Sequence, residues 1–231
     1  MNHGVIRYDS VNSSMKLLSL NVGRPRPVDT PRGPVLTSIW KSPIEGRVAL
    51  RRFNIAGDQQ SDLKVHGGEF KAVYLYPFEH YAFWQGQFPE MAMPPGMFGE
   101  NLTTEGVDEQ HVKIGDRFRI GTAVLQVSQP RMPCFKLALK FGRADMVKRF
   151  WLSGRSGIYF SIVEEGELAG GDEIVPVSRM GEGITVAELV KLYRDPNPDP
   201  ARIQAALEAP LAGSWKTELR ARLYGDDPSI E

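Results

Sequence analysis

From Leu17 to about Val177 the apolar, β-branched and aromatic residues fall into short runs cut by glycine and proline, and after Arg179 that rhythm stops. Runs this short and this often interrupted leave no room for long helices. They predict strands at the spacing of a barrel or sandwich: Leu17–Val22, Ser38–Trp40, Arg47–Leu50, Ala72–Tyr76, Arg117–Ile120, Ala123–Ser128, Gly157–Val163 and Glu173–Val177. The stretch Arg117–Val127 reads as a hairpin turning at Gly121-Thr122, and its second strand runs straight into a proline-bounded segment ending at Cys134. Two helical interruptions are predicted. One covers Pro77–Trp84 with its proline in the first turn; the other covers Arg143–Leu152, where Met146, Val147, Phe150 and Trp151 share a face.

Beyond Arg179 the period changes to that of helices. Thr185-Val186-Ala187-Glu188 is a capping-box pattern opening a helix through Tyr193, Asp199-Pro200 opens a second through about Ala209, and Ser214 caps a third through Leu223. Leu189 and Tyr193, Ile203 and Leu207, and Trp215, Leu219 and Leu223 recur at spacing four, so these helices pack on each other and on the β-rich part. The expected organisation is a polar leader over residues 1–14, a β-rich domain over 15–179 and a three-helix extension over 180–231. Periodic sequence begins at Met15, which is read as the functional start.

A chain of 231 residues with 42% hydrophobic content can bury a full core. Lysine plus arginine and aspartate plus glutamate balance at 28 each, so nothing draws the whole protein to nucleic acid or an anionic membrane, and any cationic site must be local. A single cysteine excludes internal disulfides, and with only four scattered histidines (His3, His66, His80, His111) it argues against zinc. No apolar run reaches about 18 residues and no secretory h-region precedes Met15, which points to a reducing cytoplasm.

The chemistry-bearing residues lie in four clusters. In Ser128-Gln129-Pro130-Arg131-Met132-Pro133-Cys134-Phe135-Lys136 the thiol follows a strand end with a cation on each side; converging cations would favour the thiolate, a soft ligand and a nucleophile. The same cysteine also reads as a small buried hydrophobe. Lys41-Ser42-Pro43 offers an ammonium and a hydroxyl suited to phosphate, or a surface turn. The loop from Gly57 to Gly68 ends in His66-Gly67-Gly68, with His66 a proton donor or a turn residue. In Phe98-Gly99-Glu100-Asn101-Leu102, Asn101 supplies amide hydrogen bonds either to a heterocycle or to the loop backbone. A cysteine-histidine hydrolase using Cys134, His66 and Asp58 or Asp62 is compatible with these residues, and a redox thiol would need an external partner thiol.

Taken in order, Lys41-Ser42, Gly57-Asp58 through Asp62 to His66-Gly67-Gly68, Phe98-Gly99-Glu100-Asn101-Leu102, Ile114-Gly115-Asp116 and Val127 through Cys134 resemble the MOSC family, named for the C-terminal domain of molybdenum cofactor sulfurase. The likeness is strongest to its bacterial stand-alone YiiM subgroup, and residues 184–223 look like the three-helix extension of that subgroup. The resemblance implies a mainly β fold with α, a twisted and mostly antiparallel MOSC-type barrel plus a small C-terminal three-helix subdomain. It implies the molybdenum cofactor, with Cys134 as the protein ligand to the metal, and Lys41 and Ser42 at the cofactor phosphate. Lys64, Asn101 and Arg131 are added to the pterin surroundings by charge and loop position. Mitochondrial relatives carry Arg-Pro-Asn where this chain has Gly99-Glu100-Asn101, so an arginine contact is missing there.

By the same resemblance the expected activity is reduction of N-hydroxylated compounds, including N-hydroxylated purine base analogues, through oxygen abstraction at molybdenum. His66 is the expected proton carrier, with Glu100 as substitute. No flavin or haem motif is present, so a separate reductase must donate the electrons. Neither nucleic acid nor membrane is an expected partner, and exposed barrel edges with the helical tail leave room for a homodimer. The alternative is a non-catalytic carrier of molybdenum cofactor or of its sulfur, using the same cysteine.

Overall fold

The computed structural model describes residues 14–61 and 67–224. The leader over 1–14 therefore lies, but for its last residue, outside the described residues, as do Asp62, Lys64 and His66.

The molecule is mixed α/β and organised around one large sheet. Its strands are β1 (Lys16–Val22), β4 (Ser42–Pro43), β7 (Val73–Pro77), β8 (Leu102–Glu105), β9 (Arg117–Ile120), β10 (Ala123–Pro130), β11 (Ile158–Glu164) and β13 (Ile174–Ser178). They lie in the order β13, β9, β10, β11, β7, β8, β1, β4, antiparallel except for the β7/β8 pair. The Leu17 N–H donates to the Asp172 carbonyl and the Ile174 N–H to the Met15 carbonyl, so β1 also runs beside the start of β13. Two small sheets are added, one pairing β2 (Arg26–Val28) with β3 (Val35–Thr37), the other ordering β12 (Gly166–Leu168), β5 (Val48–Arg51) and β6 (Asn54–Ile55).

The predicted hairpin is present, with Ala123 opposite Ile120 and Gly121 at φ +57, a left-handed value that glycine adopts without the Cβ penalty. The strand predicted at Ser38–Trp40 instead lies earlier, at Val35–Thr37, where β2 supplies its partner. Pro77 does not open a helix. It closes β7 opposite Thr104, and having no N–H it ends the ladder; helix α1 runs later, over Glu79–Gln87.

Between β10 and β11 lie two helices where the sequence predicts one: α2 (Phe135–Phe141), stopped by Gly142 in left-handed conformation, and α3 (Met146–Ser153). The seven residues of α2 are too few for a helical period to show. After β13 follow α4 (Val186–Arg194), α5 (Pro200–Leu207) and α6 (Gly213–Tyr224). The Thr185/Glu188 capping box is formed in both directions, and the Asp199 carboxylate caps α5 at Ala201.

Strand β7 is buried along its whole length because both its faces are covered. Val73 and Leu75 point into an aliphatic core that continues from Leu17 and Leu125 to Leu189, Ile203 and Trp215 of the C-terminal helices. Tyr74 and Tyr76, on the opposite pleat, enter an aromatic cluster with Trp84, Phe98 and Phe150. Tyr159 of β11 pairs with Tyr74 across the ladder and shares this second face, with ring centroids 5.1 Å apart.

Candidate functional site

On that aromatic face a cavity opens where Tyr74, Tyr159 and the segment after β10 meet. The local path explains why. A register shift between Val127 and Gln129 bulges β10 at Ser128, whose hydroxyl donates to the carbonyls of Phe70 (2.6 Å) and Tyr159 (2.9 Å). Pro130 ends the strand, and the chain turns through Arg131-Met132-Pro133 to Cys134, which occupies the extended N-cap position of α2. Cys134 is half-buried in the cavity wall and belongs to neither apolar cluster. The reading of it as a core hydrophobe does not describe this placement.

Four cations join it in the wall, Lys41, Lys71, Arg131 and Lys136, against Asp58 as the acid. Arg131 is buried. Its guanidinium lies 4.7 Å from the centre of the Tyr74 ring and donates to the Phe98 carbonyl. Burial works against its charge, but Tyr74, Tyr159 and Cys134 outweigh that and hold the guanidinium protonated above its ordinary range. Arg131 and the thiol are thus electrostatically coupled, as the spacing of three suggested. Burial likewise raises Tyr159, which stays a neutral hydroxyl.

Lys41 is buried, which lowers its pKa; Asp58 opposes that shift through an ion pair. Asp58 also accepts from the Gly23 N–H (2.7 Å) and the Asn101 amide (3.0 Å). Asn101 spends its other amide bonds on the backbone, donating to the Asn21 carbonyl (3.3 Å) and accepting from the Tyr74 N–H (3.2 Å). It therefore acts through Asp58, fixing the carboxylate that fixes Lys41. Ser42 is placed elsewhere: it lies in β4 with its side chain exposed and away from the cavity. Among the hydroxyl side chains that line the cavity, that of Ser38 is buried and without a hydrogen-bond partner. Glu100 is not in the wall either. Its oxygens accept from the N–H groups of Gly96 (2.7 Å) and Phe98 (3.0 Å) and from the Thr103 and Tyr81 hydroxyls, which ties down the loop before β8.

Of the residues singled out from sequence, Cys134, Lys41, Asn101 and Arg131 are brought together, Ser42 is not, and Lys64 and His66 lie outside the described residues. Ser61, the last described residue before that segment, lines the cavity. Sequence reasoning missed Lys71, Ser38, Tyr74 and Tyr159. The tyrosines carried a signal in the alternation of their strands; Ser38 carried none.

Whether this wall suits a molybdenum-pterin group is decided by its donors. One thiol for a soft metal, several cations for a phosphate and an anionic dithiolene, and an unpaired buried Ser38 hydroxyl form a set that fits. Among the described residues no cluster of three or more histidine, cysteine, aspartate or glutamate side chains could hold a metal by protein ligands alone.

A β-rich scaffold with three C-terminal helices presents one thiol in a cation-lined cavity, an arrangement that can receive an anionic group with affinity for sulfur. The chain belongs to the MOSC domain family, in its YiiM-like branch. The MOSC domain is matched over residues 62–175 and the YiiM-like 3-alpha helix domain over residues 184–225. YflK of Bacillus subtilis, an uncharacterized protein, is 43% identical over 87% of this chain and 90% of its own. The crystal structure of YiiM from Geobacillus stearothermophilus superposes with a TM-score of 0.77 at 33% identity, covering 90% of this chain and 99% of that one. A protein of Gibberella moniliformis named a reductase is 29% identical over 83% of this chain, which spans 34% of that protein.

Proposed function

We propose that this protein is a molybdenum-cofactor-dependent reductase of N-hydroxylated compounds, in which R–NH–OH takes up two electrons and two protons and leaves as R–NH2 and water. The observation that carries the reading is the placement of the chain's one cysteine in a cavity wall made cationic by Lys41, Lys71, Arg131 and Lys136. In this reading the large sheet, with β1 bonded to the start of β13, is the MOSC-type barrel, and the three last helices are its extension. When bound, the cofactor supplies a two-electron couple able to accept oxygen from an N–O bond.

The protein's part is binding, orientation and protons. Cys134 would ligate the metal, with the Arg131 guanidinium electrostatically coupled to its sulfur. Lys41, with the Ser38 hydroxyl in place of Ser42, neutralises the phosphate; Asp58 and Asn101 hold Lys41 in position. Lys64, three residues after the wall residue Ser61, adds charge. His66 in the same segment carries protons, since imidazole changes charge near neutral pH. The Tyr159 hydroxyl, kept neutral by burial, is a donor in the wall of the site. Electrons come from a separate reductase. The Gibberella reductase supports this, because a chain like this one makes up only a third of it. The protein works in the cytoplasm, consistent with the lack, among the described residues, of any helix long and apolar enough to cross a membrane.

The test is expression from Met15 in a host that makes the cofactor, with molybdenum and pterin measured per protein for wild type and Cys134→Ala. Near-stoichiometric metal in the wild type, lost in the variant, is expected, together with reduction of an N-hydroxylated purine base by the wild type under a reduced viologen donor. Metal without turnover would make the protein a cofactor or sulfur carrier. Absence of metal and pterin from folded wild type would overturn the reading.

A further inference from the structure

A second cleft meets the first at Cys134, and its chemistry is different. Its volume is about 290 Å³, near the lower end of ligand pockets, roughly 300 Å³ and upward, and right for a one- or two-ring molecule. The two cavities share Lys71, Cys134 and Tyr159. Where the first is lined by four cations, the second has Lys71 alone of these and is lined by the aromatic rings of Tyr193 (α4) and Trp215 (α6), with Glu218 of α6, whose Oε1 accepts from Arg222 at 3.1 Å, beside them. Tyr193 and Trp215 are edge to face with centroids 5.2 Å apart, and Tyr193 is braced from behind by Arg222 at 4.6 Å from its centre. The wall also carries Gln129, the residue that follows the β10 bulge. Gln129 is 2% exposed and its Oε1 has no hydrogen-bond partner. A buried carbonyl left unpaired bears its full desolvation cost, so its retention in the wall of a cleft calls for a ligand that donates to it.

We propose that this cleft holds the ring of the substrate: a planar molecule bearing N–H donors, received by Gln129 Oε1 and the Glu218 carboxylate and flanked by Tyr193 and Trp215. The C-terminal helices then determine specificity. The anionic group occupies the cationic cavity, the substrate ring occupies the aromatic one, and they meet at the only thiol. This assignment rests on the reductase reading for the identity of the reacting bond, but the recognition itself concerns a flat, donor-bearing ring whatever follows at Cys134.

Two variants test it in cofactor-loaded protein. Gln129→Met keeps the volume of a buried side chain while removing its acceptor, and Glu218→Gln changes a partly exposed residue with little risk to folding. Two compounds are compared, an N-hydroxylated purine base and hydroxylamine, the latter too small to span the cleft. The ratio of kcat/KM for the purine over that for hydroxylamine is expected to fall about tenfold in each variant, the loss of one hydrogen bond, chiefly through the purine KM. Binding of the unreactive parent base adenine, followed by calorimetry, is expected to weaken by a similar factor. An unchanged ratio in both variants would overturn the assignment, as would equal losses for the two compounds. If the wild type reduces neither compound, the reductase reading fails and calorimetry decides the cleft alone: adenine binding weakened by Glu218→Gln supports it, and no binding refutes it.

Discussion

Lys140 shows how much of this site is built from charges held in place by backbone carbonyls. It is not in the cavity wall, yet its ammonium donates to the carbonyls of Ile39 (3.0 Å) and Gly96 (2.6 Å), clamping together the two loops that carry Ser38 and Phe98. Burial, against the attraction of Glu100, brings its pKa down to about 8 from 10.5. Since the folded value lies below the unfolded one, the unfolded chain binds more protons between those limits, and this group's contribution to stability rises with pH across that window. It is lost again as pH falls through about 8. Tyr76 works the other way: its buried hydroxyl has a raised pKa, so its contribution is present below pH 10 and declines as pH rises beyond that value. Urea unfolding of wild type and Lys140→Met between pH 7 and 10, on the scale of that shift, should show the wild-type midpoint climbing relative to the variant. Parallel curves would mean that Lys140 is not held in the buried, discharged-prone state.

Among the elements, the loop between α1 and β8 is the one whose shape the site depends on most directly. Gly96 sits at φ +85, and a Cβ there would stand 2.7 Å from the Lys41 carbonyl oxygen. The loop closes this near to Lys41 because both Glu100 and Lys140 pull on it, the first through the Gly96 N–H and the second through its carbonyl. Gly96→Ala combines left-handed strain of about 1–2 kcal/mol with a backbone collision. It is expected to lower stability by about 1–3 kcal/mol and, with the proposed cofactor at this site, to lower its content too, because Lys41 moves. Chemical denaturation and molybdenum analysis on the same preparation measure both; a variant as stable as wild type would show that the loop has slack.

At the scale of the whole molecule, the C-terminal helices are joined to the sheet by one continuous apolar core in which Leu189 is fully buried. The backbone is joined as well: the Ala187 N–H donates to the Glu109 carbonyl, and the Val186 N–H to that of Val112. Leu189→Ala therefore belongs with buried leucine truncations, which cost about 2–5 kcal/mol, and its effect should spread through the molecule. Far-ultraviolet and near-ultraviolet dichroism should report one shared, lowered melting transition. Two separated transitions would show the helices to be an independent unit, and the second cleft a boundary between units rather than a pocket within one.

Local preferences along the chain were enough to determine most of the longer elements, but not β3, β8, α2 or the start of α1. The period-two runs became strands, Gly121 made the hairpin turn, Thr185 with Glu188 started α4, and the thiol came at a strand end between two cations. These are short-range effects of side-chain spacing, turn geometry and capping, and a reader of sequence has all the atoms involved. The tertiary structure decided which of those residues meet. It chose Ser38 over Ser42, tied Asn101 to Asp58, set Tyr74 beside Tyr159 across the ladder, and brought Trp215 to the cleft that contains Cys134. Such meetings depend on register, on a one-residue bulge, and on crossovers between segments as distant as Asn21 and Thr103, joined side chain to side chain over 82 positions. No local pattern encodes them, because the energy that selects them arises only when the core closes.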